Sequence, residues 1–296
     1  MPYPLDPALR VRSIALLGSV WTALPAAVER ARGWGADWLE WSEPFVEREA
    51  GEVVAHVGVM ELHAVLDGRD RTLAGIHAVC TRADRRGRGH LRATMDRALS
   101  WVDARYETAV LWANDPAVYG RFGFTPRRES VFHGPLAPRP SSSSSSSGST
   151  RGLSLDVVDD VRLLRARLDG RAPVSTDCGV RGSGWLALID LALWRPPGPR
   201  LVLVPALDCI VVHEVRGRTL RLYDVIAPQM PTLAALTGEL AHELAGVDAV
   251  EAFFSPQGLN APSLKAARTS LDDVLMVRGR DVGSDAPLAF SPLTRC

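Results

Sequence analysis

Lysine is all but missing from this chain of 296 residues. Lys265 is the only one, and every other basic residue is an arginine or a histidine. A proteome-wide codon bias explains the replacement, although arginine also forks onto phosphate as lysine cannot. Net charge is missing as well: 34 arginines and lysines balance 34 acids, with an isoelectric point near 7.1. No overall field would draw the chain to nucleic acid or to an anionic membrane. Cysteine is scarce, and Cys80, Cys178, Cys209 and Cys296 are scattered, without a C-x-x-C pair or a histidine at zinc-ligand spacing. That excludes a disulfide framework and a structural zinc module; it predicts no metal, buried reduced thiols and a cytoplasmic protein. No uncharged apolar run reaches the ~18 residues of a membrane span. Arg10 and Arg12 ahead of Ile14–Leu17 faintly imitate a secretory leader. Pro25, and helical spacing resumed through Val28 and Ala31, predict an ordinary first helix instead.

What is present is enough apolar material for two cores, at 46% of a chain too long for one. Between Pro135 and Arg151 the sequence holds Pro138, Pro140, seven consecutive serines (Ser141–Ser147) and Gly148. Such a stretch cannot bury a core and reads as a linker. The expected division is residues 1–136, a linker at 137–151, and residues 152–296. Both halves read as mixed α/β, with a central sheet and flanking helices. In the first, helical spacing through Trp41 gives way to strands around Phe45–Arg48, Val53–Leu66 and Thr72–Thr81. Asp67-Gly68 is the hairpin turn. A helix follows over Leu91–Ala104, then a strand at Ala109–Trp112 and a brief helix from Pro116, capped by Asn114 or Asp115. The second half repeats that order, ending in a strand at Asp273–Val277. This is a repeat of pattern rather than of letters.

Chemistry concentrates where the strand ending Val79-Cys80-Thr81 enters Arg82-Ala83-Asp84-Arg85-Arg86-Gly87-Arg88-Gly89-His90-Leu91-Arg92. Glycines allow a loop to turn its backbone N–H groups inward, and a helix starting there points its positive end the same way. Together these cradle a pyrophosphate. The loop is not a Walker loop, for no Gly-Lys-Ser/Thr follows. It is not a Rossmann fingerprint, since the G-x-G-x-x-G spacing is absent.

Arg86-Gly87-Arg88-Gly89-His90-Leu91 resembles the Q/R-x-x-G-x-G/A acetyl-CoA loop of the GCN5-related N-acetyltransferases (GNAT), with Leu91 in place of the final small residue. Asn114-Asp115-Pro116-Ala117-Val118-Tyr119-Gly120-Arg121-Phe122-Gly123-Phe124 is similar to a second signature, most like the Eis-like and YhbS-like members. Eis-like proteins also carry a bulky residue where Leu91 stands. The resemblance implies tandem GNAT folds, the second degenerate: its equivalent loop, Ala227-Pro228-Gln229-Met230-Pro231-Thr232, has neither glycine nor arginine. In Eis proteins a sterol-carrier-like domain follows at about the point where this sequence stops.

The resemblance further implies acetyl-CoA as acetyl donor and a primary amine, on a small molecule or a peptide, as acceptor. Val79, Cys80 and Thr81 would lie along the pantetheine arm. Arg86, Gly87, Arg88, Gly89, His90, Leu91 and Arg92 would hold the pyrophosphate, and Asn114 and Asp115 would touch the cofactor. Tyr119 would give its proton to the departing thiolate. For the base, His77, Glu61, the C-terminal carboxylate of Cys296 and water all stay open. Trp34, Trp38 and Trp41 read as a core stripe that could also wall the acceptor pocket. The second half is expected to shape the acceptor cleft or to form a homo-oligomer. A non-catalytic CoA-binding sensor or scaffold is the alternative to an enzyme.

Overall fold

The computed structural model describes residues 6–136, 150–194, 198–268, 273–280 and 286–295. The serine run and Cys296 lie outside them. Asp6 caps α1 (Pro7–Val20), its carboxylate accepting from the Leu9 amide at 2.9 Å, with proline at the first helical position. The single first helix expected from spacing is in fact two. Pro25 has no N–H to give the Trp21 carbonyl, so the chain breaks at Trp21–Ala23 and restarts as α2 (Leu24–Gly33). Gly18 leaves room for the Pro25 ring, which would stand 2.8 Å from a Cβ there.

Three antiparallel strands follow, β1 (Ser42–Glu49), β2 (Glu52–Leu66) and β3 (Arg69–Thr81). They are joined by the two-residue turns Ala50-Gly51 and Asp67-Gly68, whose positive φ values match the twist of a hairpin. Residues 53–60 of β2 are all buried, because α1 covers one face of the sheet and α3 (His90–Asp103) the other. Next come β4 (Thr108–Ala113), α4 (Pro116–Gly120), β5 (Thr125–Arg127) and β6 (Ser130–Pro135). The rest of the chain forms β7 (Arg151–Leu153), α5 (Val158–Asp169), β8 (Cys178–Val180), α6 (Gly184–Leu193), β9 (Arg200–Val204), β10 (Cys209–Arg216), β11 (Thr219–Ile226), α7 (Leu233–Glu239), β12 (Ala249–Ala252), β13 (Lys265–Arg268) and β14 (Val274–Gly279).

Among the described residues the strands form two mixed seven-stranded sheets. The first has the order β1-β2-β3-β4-β14-β5, with β8 added along the end of β2; the second runs β13-β6-β12-β11-β10-β9-β7. The architecture is the expected tandem of α/β folds, but the two sheets exchange strands. The last strand, read from sequence as part of the second half, inserts between β4 and β5 of the first sheet. It pairs antiparallel with β4 from Val274–Ala113 to Gly279–Thr108 and buries Leu275, Met276 and Val277. Conversely, β6 precedes the linker yet sits in the second sheet. The serine-rich stretch thus connects two strands of one sheet. One continuous core runs from α1 and α2 through β2 to α6, Phe290 and Leu293, so the halves are packed together rather than strung out.

Candidate active site

The site begins where two parallel strands part. β3 and β4 pair only at Ala74–Ala109 and Gly75–Val110, although both run on, to Thr81 and Ala113. A bulge in β3 accounts for the divergence: the β2–β3 register slips between His56 and Gly58, and Ala78 takes a φ of 49°. His56 lies under the bulge, its Nδ1 2.7 Å from the Ala78 carbonyl oxygen. A cavity of about 680 Å³ occupies the wedge.

Val79, Cys80 and Thr81 line one wall of this cavity, and Leu111, Trp112 and Asn114 the other. The Thr81 hydroxyl is buried without a partner. Burial pushes the Cys80 thiol up to about 12, only partly offset by Arg86, so it is an uncharged part of the wall. The loop closes one end. Gly87 and Gly89 hold φ values of 76° and 85°, which side-chain-bearing residues rarely adopt. Gly89 is the N-cap of α3 and offers no side chain to its first turn, leaving those amides for a ligand. A Cβ at either glycine would meet nothing within 4 Å, so their backbone shape, not crowding, requires glycine.

Of the arginines expected at the phosphates, Arg86 and Arg92 line the cavity and Arg88 does not. Arg86 donates through Nε to the Thr81 carbonyl at 3.3 Å, which sets its stem across the loop. Arg85 also lines the wall but is committed to Glu49 at 2.7 Å and Asp84 at 3.0 Å. His90 and Leu91 complete this end, with His90 Nε2 2.9 Å from Glu49. Asp115 caps α4 by accepting from the Ala117 amide at 3.2 Å, and it too lines the cavity. That short helix presents Tyr119 to the wedge, edge-on to Phe124 at 6.3 Å. Burial chiefly, then the Asp115 carboxylate and Cys80, push the tyrosine hydroxyl up to about 12.

A second cavity, of about 440 Å³, adjoins the first across Val20, Trp21, His77 and Ala78, which line both. The break between α1 and α2 forms one wall, Trp38 and Met60 another, and α6 with Arg295 the far side. The expected tryptophan stripe divides here. Trp38 is buried and walls this cavity, Trp34 packs at the edge of the core, and Trp41 stacks on Trp185 at 5.4 Å. His77 stands at the seam with Nε2 2.9 Å from the Ser42 hydroxyl and its ring edge-on to Trp38. Burial, then His56, hold it well below the usual histidine range, so it is neutral at physiological pH. Glu61 lines neither cavity; it accepts from the Tyr106 hydroxyl at 3.1 Å and lies 3.2 Å from His63. Arg295 lines the second cavity, while Cys296, whose carboxylate was a candidate base, lies outside the described residues. Sequence reasoning passed over Val20, Trp21, Arg295 and Asp190. Only Asp190 carried a signal, as the one acid in the apolar run Trp185–Trp194.

The second sheet has the same parting of strands. β11 and β12 pair in parallel from Thr219–Ala249 to Leu222–Ala252 and then separate. Here the chain fills its own wedge. Ser291 lies 3.1 Å from the Tyr223 carbonyl and 2.8 Å from Asp224, and Ala289 and Ser255 exchange hydrogen bonds at 2.9 Å. The loop after β11 contains Pro228 and Pro231, which have no N–H to offer an anion. Calorimetry should therefore count about one acetyl-CoA per chain; two equivalent sites would show that the filled wedge can open.

Residues 11–127 match the family model of the acetyltransferase (GNAT) domain. No curated protein sequence matches the chain. Among solved structures, the fold is similar to that of a conserved protein from Enterococcus faecalis V583 described as a probable N-acyltransferase. Identity is 14%, the TM-score is 0.61, and the match covers 90% of this chain and 69% of that one. It is likewise similar to Eis1 from Mycobacterium abscessus, at 20% identity and a TM-score of 0.58, over 93% of this chain and 71% of the other. Both cover the two halves, in keeping with tandem GNAT folds. Among the described residues no helix is long and apolar enough to cross a membrane, and no cluster of three or more histidine, cysteine or acidic side chains could hold a metal ion.

Proposed function

We propose that the chain, whose residues 11–127 match the family model of the GNAT acetyltransferase domain, transfers the acetyl group of acetyl-CoA to a primary amine by direct attack. One observation carries this reading: the wedge between β3 and β4 opens onto a glycine loop and an uncapped helix start. Acetyl-CoA fits that wedge chemically. The α3 amides, with Arg86 and Arg92, suit a pyrophosphate. The unpartnered Thr81 hydroxyl suits the amide-bearing pantetheine arm. Acetyl-CoA would supply the activated acyl group. Backbone N–H near Val79 would steady the carbonyl oxygen as negative charge develops on it, and Tyr119 would protonate the sulfur that leaves. His77, neutral and tied to Ser42, is a poor proton acceptor, and Glu61 lines neither cavity; an ordered water fits the base role better.

The test is release of free CoA thiol from acetyl-CoA in the presence of a panel of amines. Release with at least one amine supports the enzyme. Tight acetyl-CoA binding with no release across the panel would favour the sensor module. The cofactor end has its own prediction. Replacing Arg86 and Arg92 together by alanine should weaken acetyl-CoA about 10²-fold, the lower range for two charge-assisted contacts that stay partly solvated. Arg88→Ala should change it by less than about threefold, as an exposed charge off the wall does. Thermal-shift titration reads both, and equal stabilisation of the double variant and the parent would remove the assignment of this loop.

A further inference from the structure

The second cavity is lined by one acid, Asp190, and among the described residues nothing pairs with it. Asp190 sits in the interior of α6, where it caps neither end, with Leu186, Ile189 and Leu193 beside it on the same face at i−4, i−1 and i+3. The remaining wall is largely apolar, from Leu24, Trp38 and Met60. Among the described residues the Asp190 carboxylate has no hydrogen bond and no ion pair, and its Oδ2 is fully buried. Arg295 lines the same cavity but is engaged elsewhere, 3.3 Å from Glu129 and 3.4 Å from the Phe290 carbonyl. A carboxylate left without partners in an apolar wall is costly, and leucine would pack there without that cost. The arrangement makes sense when a cation completes it.

Resting on the acyltransfer reading above, we propose that Asp190, contributed by the second domain, recognises the acceptor, and that the acceptor is a compact amine with an apolar body whose ammonium group pairs with that carboxylate. One carboxylate matches one positive charge. The apolar walls match an alkyl or arylalkyl body rather than a sugar or a polycation, which would bring hydroxyls or further charges to surfaces unable to pair them. The cavity meets the wedge at His77 and Ala78, so a ligand held on α6 extends toward the place where the acetyl group is expected. Burial pushes the Asp190 carboxyl well above the usual carboxylate range, with Arg295 opposing; this is the behaviour of an acid awaiting a counter-ion.

The test uses the full chain with CoA bound, titrated calorimetrically with hexylamine and with hexan-1-ol, which share a body and differ in charge. The parent should bind the amine at least about tenfold more tightly than the alcohol, as a buried charge pair provides. Asp190→Asn, which keeps the shape and removes the charge, should abolish or reverse that preference while acetyl-CoA binding stays unchanged. Asp190→Leu should do the same and should melt no lower than the parent, since the buried acid without a partner is gone. Equal affinity of the parent for amine and alcohol, binding of neither, or an amine preference that survives in both variants overturns the proposal. Failure of the parent to bind acetyl-CoA at all would instead remove the acyltransfer reading on which it rests.

Discussion

Asp224→Ala should destabilise the protein by about 3–5 kcal/mol, the usual cost of stranding one member of a buried ion pair. Asp224 is fully buried on β11 and accepts from Arg171 at 2.9 and 2.6 Å, in the two-pronged geometry that a guanidinium fits best. It also accepts from the Val225 amide at 2.7 Å and lies 2.8 Å from the Ser291 hydroxyl. Arginine does not give up its proton, so the alanine variant must bury an unpaired charge or unpack the segment after α5 to hydrate it. The second cost is to the C-terminal segment, which loses the anchor that holds it in the wedge of the second sheet. Urea unfolding at neutral pH measures the loss. A paired replacement, Arg171→Met with Asp224→Leu, should recover most of it, because two apolar groups remove both the attraction and the desolvation. A loss below about 1 kcal/mol in Asp224→Ala, the size seen for exposed pairs, would show that this contact does not hold the two elements together.

Residues close in sequence and bound by local rules were legible. Asp67-Gly68 announces a hairpin because such a turn matches strand twist. The loop of Gly87 and Gly89 is legible because backbone shape dictates its glycines. Its partner Asp115 reads as a cap because a carboxylate before Pro116 has one common use. Elements that depend on distant chain were not legible. β14 has the composition of any buried strand, and nothing local tells it to join the first sheet rather than the second. Arg88 and Arg92 look equivalent as letters; which one faces the cavity follows from the left-handed turn at Gly89 and the first turn of α3, a matter of a few dihedrals. The break at Trp21–Ala23 was legible in principle from Pro25, but helical spacing on either side hid it. The second cavity draws its walls from α1, α2, β2, β3, α6 and the C-terminal segment, so no window of sequence contains it. Short strands such as β5, β7, β8 and β13 are too brief to show a period of two. In the second half α7 stops at Glu239, one residue beyond Gly238, which weakens its last turn.

Tyr119→Phe should leave acetyl-CoA affinity within about threefold of the parent and lower turnover by about 10²–10⁴, the range of a general-acid contribution. The expected split follows from the proposed role: the proton would move only as the sulfur leaves, so kcat would fall and KM would not. Acidity poses the sharper question. A tyrosine pushed up to about 12 is a weak donor to a thiolate whose parent thiol ionises near 8.5 in water. The cleft itself narrows that gap. Burial pushes the Cys80 thiol, in the same wall, up to about 12 as well, so a sulfur anion formed beside it would be more basic than in water. Donor and acceptor would then lie closer in basicity, which favours proton transfer. The same shift sets the pH profile. Tyr119 stays protonated through pH 10, where an ordinary tyrosine would be half ionised, so turnover in the parent should show no loss centred there. Steady-state kinetics of the variant with a verified amine, across pH 7–11, reads both effects. Full turnover would leave Tyr119 as packing against Phe124 and pass the proton to water. A loss of acetyl-CoA binding in place of turnover would make it a cofactor contact, and the acid would have to be sought elsewhere on the wedge.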